Sequence, residues 1–523
     1  MEKASKQNEK KIGPIVLVIW DGFGIAKKHL GDATQIARMP VWHRLCRTHV
    51  HSLLKASGKW VGLPETHPGN SEAGHETIGA GRVVPGDILT INETIKDKSF
   101  YKNPGFLEAV KQVKKNKSVL HLIGLLTEDK SGHASPKHIR ALIEMAKQQK
   151  VRRVALHIFT DGRDTSPLDA EQLIAHLESE LPPNFVIASV MGRFYAMDRN
   201  RRWGRTLLAY NAITHGEGVR ADSASHAIAQ AYNRGETDEF VLPTVICEKD
   251  VCVAPVRDND AVIFWNLRSD RARQMLKPFV EPHFEKLQPE APKRHAIVKH
   301  LYFVTLTEFG KGLDSVVSAF PHHELRDTLL ETLRHKKQLY AAESEKFSMV
   351  TYFMNGGYDA PKFGEHRLRV ESPYVTNYKD RPEMSAKKLT ERLLKRIPKH
   401  DFITVNYANA DMVAHTGDLA ATIKACETLD EMLGQIWKSV KENQGTLIVT
   451  ADHGNAEELK TSYGGKDTEH NPNPVPFLMA GAGARGKKAE NGSLIDIAPT
   501  ILSLFEITPP KIMMGKNLLK KRT

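Results

Sequence analysis

The sequence predicts an α/β protein with mostly parallel sheets, and three observations carry that expectation. Short β-branched runs recur along the chain, segments of helical period separate them, and the runs repeatedly end in polar residues with chemical capacity. The runs are IVLVIW (15–20), SVLHLIGL (118–125), VALHIFT (154–160), FVIASVM (185–191), AVIFWNL (261–267), YFVTL (302–306), FITVNY (402–407), GTLIVT (445–450) and VPFLMA (475–480). Continuous apolar stretches of this length suit strands buried on both faces. Their alternation with helices points to parallel pairing.

The helices carry start signals. Ser135-Pro136 precedes Ile139, Leu142, Ile143 and Ala146, a 3–4 residue spacing behind an N-cap and a first-turn proline. Ser166-Pro167 repeats the device, and Ser385 opens AKKLTERLLKRI with another helical stripe. Residues 81–87 and 313–321 read as loops crossing between two domains.

Composition narrows the class. The 523 residues allow two to four domains, at roughly 150 residues each. With 41% hydrophobic and 26% charged residues the chain is neither disordered, collagenous nor a membrane bundle. Its four cysteines form no C-x-x-C pair and read as reduced thiols of a cytoplasmic protein. The apolar run 14–20 is too short for a signal peptide or a spanning helix, so no membrane is expected. The net charge is +12, but residues 1–12 carry +2 of it and residues 511–523 carry +5. Both segments read as solvated, mobile tails. Global charge is therefore a poor argument for nucleic acid.

The residues just after each strand are more informative, because ligands of open α/β sheets bind outside the carboxyl ends of the strands. Asp21 ends the first run, and Asp452-His453 comes directly after GTLIVT. Asp411 and His415, four apart, share one face if the segment after Tyr407 is helical. His470 lies in the proline-fixed loop TEHNPNPVP. Three carboxylates and three imidazoles without thiolate favour Mn²⁺, Zn²⁺, Fe²⁺ or Co²⁺ over Ca²⁺, and six ligands suit two ions.

HPGNSEAGHETIGAGR (67–82) is glycine-rich, as a backbone approaching a ligand closely would be. Neither a P-loop nor a G-x-S-x-G elbow fits its spacing. Ser71 becomes a nucleophile if a metal lowers the cost of its alkoxide; the competing local reading makes it the cap of a helix starting near Glu72. Gly481-x-Gly483-x-x-Gly486 matches a dinucleotide fingerprint, but the residues after it read as loop, so NAD is not expected.

Fourteen arginines lie between Arg152 and Arg273, clustered in DGRDTSP, GRFYAMDRNRRW and NLRSDRAR. Guanidinium forks bind carboxylate and phosphate bidentately, which suits a small phosphorylated acid. Asp161, Asp164, Asp198 and Asp270 among them would repel a nucleic-acid backbone.

In order along the chain, DGFG, GNSEAGH, FTDGRDTSP, GRFYAMDRNRRW, RSDRARQ, AESEKF, NYANADMVAHTGD, TADHGNAE and EHNPNPVPF resemble the 2,3-bisphosphoglycerate-independent phosphoglycerate mutase family of the alkaline phosphatase superfamily. The resemblance implies an alkaline-phosphatase-like metal-binding domain with a mostly parallel sheet, over 13–86 and 318–512. It also implies an inserted α/β transferase domain over 87–317, with 1–12 and 513–523 as basic tails. By motif position, Asp21, Ser71, Asp452 and His453 match the ligands of one metal, and Asp411, His415 and His470 those of the other. Ser71, Asp164 and Lys346 match catalytic positions. His133, Arg163, Asp164, Arg193, Arg199, Arg268, Arg271 and Lys346 match substrate-binding ones, although the run around His133 reads SGHAS where the family has a GGVHSH-like pattern. The implied reaction interconverts 2- and 3-phosphoglycerate through a phosphoserine on Ser71, with two divalent ions, Mn²⁺ first and Zn²⁺ or Co²⁺ acceptable, and no 2,3-bisphosphoglycerate. The alternative is a metal-dependent phosphomonoesterase or another phosphomutase of the superfamily. A cytoplasmic monomer is expected.

Overall fold

The computed structural model describes residues 13–27, 31–129, 131–249, 251–310, 312–313, 315–321, 324–358, 360–375, 377–461 and 463–522. The basic segment 1–12 lies outside them. The chain divides into two compact units, one formed by Asp87–His322 and the other by the chain on either side of it.

The first unit is built on an eight-stranded sheet. In spatial order its strands are Glu365–Val370, Gln338–Glu343, Phe402–Tyr407, Ile15–Trp20, Thr446–Thr450, Val475–Gly481, Val50–Lys55 and Gly492–Ser493. The first five run parallel, and Val475–Gly481 is antiparallel to both of its neighbours. Every residue of Ile15–Trp20 and Phe402–Tyr407 is buried, as strands covered on both faces require. Adjacent in the centre of the sheet, these two strands deliver Asp21 and the 409–415 helical turn to the same carboxyl edge.

The second unit holds another mostly parallel sheet, in the order Val316–Phe320, Tyr302–Thr307, Ala261–Phe264, Leu120–Leu126, Val154–Thr160, Phe185–Gly192, Thr244–Glu248 and Val219–Ala221. Thr244–Glu248 runs antiparallel to Phe185–Gly192, and Val251–Cys252 folds back antiparallel on its outer end. Among the described residues no helix is long and apolar enough to cross a membrane.

Local signals behave unequally. The helix Pro136–Gln148 starts with Ser135 accepting from Lys137 N at 3.3 Å, as an N-cap should. Ser166-Pro167 does not start a helix. Asp169 accepts from Ser166 N at 2.9 Å, and the helix begins at Ala170. Residues 316–320 are not a crossing loop; V-V-S-A-F pairs in parallel with Tyr302–Thr307 and carries the inserted unit past the expected boundary at 317/318. The C-terminal segment is not a solvated tail. Leu518 is fully buried, and Leu519–Lys521 pairs antiparallel with Lys487–Ala489. The leucines dock the segment while its lysines stay in water.

Glu343, at the end of Gln338–Glu343, offers a test of this packing. Its Oε1 accepts from Ser385 N at 2.9 Å, its Oε2 makes no hydrogen bond, and burial pushes its carboxyl from 4.5 up to about 7. The fold thus favours the protonated acid. That contribution is complete below pH 4.5 and is lost as pH rises through about 7. In Glu343→Gln, stability relative to the parent should improve by up to about 3 kcal/mol between pH 4.5 and 8, measured by urea unfolding. Parallel pH curves for the two proteins would contradict it.

Candidate metal and phosphoryl-transfer site

Asp21, Asp411 and Asp452 are all buried in the first unit, at the carboxyl ends of three adjacent strands. Gly22 makes the crowding possible. Its φ is +70°, and a Cβ there would lie 2.7 Å from Asp411 Cβ. Asp411 and His415 stand one turn apart on the helical segment after Phe402–Tyr407, with His415 N donating to Asp411 O at 3.1 Å.

Ser71 is the first residue of the helix Ser71–Ala80, and Asn70 is its cap, accepting from Ala73 N at 2.8 Å. The capping reading of Ser71 is thereby overturned. Relieved of that task, Ser71 Oγ donates to Asp21 Oδ1 at 3.1 Å and lies 3.0 Å from His453 Nε2. Gly74 lets the helix approach, since a Cβ there would meet Asp452 O at 2.5 Å. Lys346 Nζ completes the knot, donating to Asp21 Oδ1 and Ser71 Oγ at 2.6 Å each and to Asp411 Oδ2 at 2.7 Å.

The histidines are oriented alike. His415 Nδ1 lies 2.8 Å from Thr468 O, His470 Nδ1 3.0 Å from Gly69 O, and His453 Nδ1 3.2 Å from Gly454 O. Each Nδ1–H donates to a backbone carbonyl, so each Nε2 points inward as metal-ligating imidazoles do. The Nε2 atoms of His415 and His470 are 3.1 Å apart, and each is 3.3 Å from Asp411 Oδ1. Three donors each about 2.1 Å from one ion lie about 3.0–3.5 Å from one another, so this triangle fits a divalent cation. On the other side, His453 Nε2 is 3.5 Å from Asp21 Oδ1 and 3.6 Å from Asp452 Oδ2. Asp452 Oδ2 is buried without a hydrogen bond. That orphaned oxygen and the excess of carboxylates over ammonium groups fit a second cation.

The protonation pattern shows the same demand. Burial raises the carboxyl of Asp411, yet Lys346 and His415 hold it well below the usual range. Burial would lower the imidazole of His453, but Asp452, Asp21 and Asp411 raise it to about 9.

Three residues that no sequence pattern singled out shape the site. His75 Nδ1 donates to Ser71 O at 2.8 Å and lies 3.2 Å from Asp452 Oδ2. Its Nε2 faces Asn406 Nδ2 at 3.0 Å, and the same amide donates to Asp21 Oδ2 at 2.7 Å. His75 stands within ligand distance of Asp21 and Asp452, but both its nitrogens are engaged, so it props the site. Asn455 Nδ2 donates to Asp411 Oδ1 at 2.8 Å. His75 had a readable signal, one turn after Ser71 on the same helix; Asn406 and Asn455 lie inside quoted motifs, but nothing there marked them as partners of the carboxylates.

The remaining sequence candidates gather in the second unit. Arg193 is buried and lies 2.5 Å from Asp161 Oδ1 and 3.2 Å from Asp164 Oδ2. Ser131 Oγ donates to Asp164 Oδ2 at 2.6 Å. Burial would raise the Asp164 carboxyl, but Arg193 and Ser131 hold it below the usual range, so it is ionised. Arg199 and Arg268 reach Asp270 at 3.0 and 3.4 Å, and Arg163 faces Glu239 at 3.6 Å. Burial and then the nearby Arg199, Arg193 and Arg163 lower Arg271 to about 10. His133 is pushed down to about 3 by burial, Arg268 and Arg193. Such a concentration of guanidinium groups suits a small anion.

Known proteins are similar to the chain over nearly its whole length. The family profile described as BPG-independent PGAM N-terminus matches residues 91–311, and that of type I phosphodiesterase / nucleotide pyrophosphatase matches residues 267–470. The 2,3-bisphosphoglycerate-independent phosphoglycerate mutase of Moorella thermoacetica is 42% identical over 97% of this chain and 98% of its own. Its namesake from Desulforudis audaxviator is 44% identical over 97% and 99%. A crystal structure of Leishmania mexicana phosphoglycerate mutase at low cobalt concentration superposes with a TM-score of 0.78, at 27% identity over 98% of this chain and 99% of that one. On this identity over nearly the whole length, the chain belongs to the 2,3-bisphosphoglycerate-independent phosphoglycerate mutase family.

Proposed function

We propose that the chain performs its family's reaction, the interconversion of 2- and 3-phosphoglycerate, through a phosphoserine formed on Ser71. The observation that carries this reading is the position of Ser71 Oγ, 2.6 Å from Lys346 Nζ and 3.0 Å from His453 Nε2 beside Asp21. With the helix cap supplied by Asn70, a serine so placed is available as a nucleophile once a metal lowers the cost of its alkoxide.

Asp21, Ser71, Asp452 and His453 would hold one divalent ion, and Asp411, His415 and His470 the other, with Mn²⁺ the expected metal. When bound, the ions supply Lewis-acid charge for the serine alkoxide and the phosphoryl oxygens. Arg163, Arg193, Arg199, Arg268 and Arg271 bind the phosphate and carboxylate of the substrate, with His133 at the same cluster. Ser71 Oγ attacks phosphorus as the bond to the glycerate oxygen breaks, and Lys346 Nζ offsets the charge that develops there. Asp164, ionised beside Arg193, takes the proton from the other glycerate hydroxyl and passes it to the oxygen that lost the phosphoryl group, so no net proton is gained or lost. The deprotonated oxygen then recovers the phosphoryl group from Ser71. No 2,3-bisphosphoglycerate is needed, because the serine stores the phosphoryl group.

Ser71→Ala should lower phosphoglycerate exchange by at least about 10³-fold while leaving the thermal unfolding midpoint within a few degrees of the parent. Activity close to the parent's would refute the phosphoserine. Rapid release of inorganic phosphate from phosphoglycerate by the parent protein would instead favour the phosphomonoesterase reading. Asp411→Asn should reduce bound metal from about two ions to about one per chain by elemental analysis after Mn²⁺ loading. Two retained ions would break the assignment of ligands.

Metal binding must also release protons. With His453 raised to about 9 and His415 raised by Asp411, a proton competes for each Nε2 in the metal-free site. Apparent Mn²⁺ affinity should therefore rise with pH between 6 and 8, by up to about tenfold per unit for each proton displaced. A pH-independent affinity by calorimetry would be incompatible with these ligands.

A further inference from the structure

The sheet edge of the second unit carries two thiols that no step above uses. Thr244–Glu248 and Val251–Cys252 run antiparallel, and Cys247 stands opposite Cys252 in the register. Val253 N donates to Ile246 O at 3.0 Å, which makes Ile246 and Val253 a hydrogen-bonded pair. Antiparallel ladders alternate, so Cys247 and Cys252 form the next, non-hydrogen-bonded pair, where Cα atoms lie about 4.5 Å apart and side chains are closest. A disulfide spans Cα separations of about 4.4–6.8 Å. The two Sγ atoms are already 3.4 Å apart as thiols. The other two cysteines are placed quite differently. Burial pushes the Cys46 thiol up to about 11, and Cys426 is fully buried with its thiol raised further.

We propose that Cys247 and Cys252 form a reversible dithiol–disulfide site that exchanges with small-molecule disulfides of the glutathione class. Cys252 is the more exposed of the two, and the neighbouring Val251 is open to solvent. The Cys252 thiolate attacks one sulfur of the oxidised small molecule, whose S–S bond breaks. One small thiolate leaves and takes up a proton. Cys247, having given its proton to solvent, then attacks Cys252 Sγ and expels the second small thiol. Two protein thiols are oxidised and one small disulfide is reduced to two thiols, so electrons and protons balance. The new bond ties Thr244–Glu248 to Val251–Cys252. In a reducing compartment such a pair stays open and closes only when the thiol pool is oxidised.

The test uses the full-length, metal-loaded protein equilibrated with oxidised glutathione, quenched in acid, alkylated and digested without reductant. The peptides containing Cys247 and Cys252 should be joined and lighter by about 2 Da, and should regain two alkylatable thiols after dithiothreitol. Cys247→Ser should keep glutathione on Cys252, about 305 Da heavier, because the resolving thiol is gone. Cys252→Ser should carry at least about tenfold less adduct on Cys247, because reactivity follows thiol exposure. Two alkylatable thiols in the treated parent would overturn the proposal. So would a stable glutathione adduct on Cys252 of the parent, since Cys247 would then have failed to resolve it.

Discussion

Repulsion among the buried carboxylates of Asp21, Asp411 and Asp452 is the constraint on which the first unit depends. Two like charges 4 Å apart at an effective dielectric near 20 repel by about 4 kcal/mol. Burial adds a desolvation cost that only cations can offset. Lys346 meets part of it, with its ammonium shared among Asp21, Asp411 and Ser71. The amides of Asn406 and Asn455 and the imidazole of His75 meet more of it by donating to carboxylates or fixing their neighbours. What is left over, including the unbonded Asp452 Oδ2, is the affinity for divalent metal. The fold concentrates charge it cannot neutralise alone, and a cofactor site results.

That concentration needs backbone as much as side chains. Adjacent central strands end at the same level, so Asp21, the 409–415 turn and Asp452-His453 emerge side by side. Gly22 and Gly74 then remove the β-carbons that would hold those segments apart. A substitution at either glycine would act on the metal site without touching a ligand.

Much of this was legible in the sequence, and the reasons for the gaps are physical. Mostly apolar strands such as Val154–Thr160 and Phe402–Tyr407, buried along their whole length, announce themselves residue for residue. Gln338–Glu343, which leads to Lys346, does not, because Q-L-Y-A-A-E has neither β-branching nor clean alternation although every residue is buried. Asp, His and Arg at strand ends advertise chemistry. Asn406 and Asn455 do not, since an asparagine at a strand end reads equally well as a turn former. The docking of the C-terminal segment through Leu518 and Leu519 was masked by the lysines and arginine around them. Charge counting reads the exposed part of such a segment and misses its anchor.

The two clusters carry opposite signs, and this decides why metal is indispensable. In the second unit burial, and then the charges of Arg199, Arg193 and Arg163, lower Arg271 to about 10. That cluster of guanidinium groups suits the phosphate and carboxylate of a small phosphorylated acid. In the first unit Ser71, the proposed nucleophile, sits among carboxylates, which would repel a phosphoryl group carrying the same sign. Lys346 alone cannot reverse that field, because its charge is already engaged by Asp21 and Asp411. Only added cations make the surroundings of Ser71 attractive to a phosphoryl oxygen, so the ligand set converts a repulsive pocket into a phosphoryl acceptor. In the proposed reaction the serine and the metals are therefore one functional element, and neither would transfer a phosphoryl group without the other.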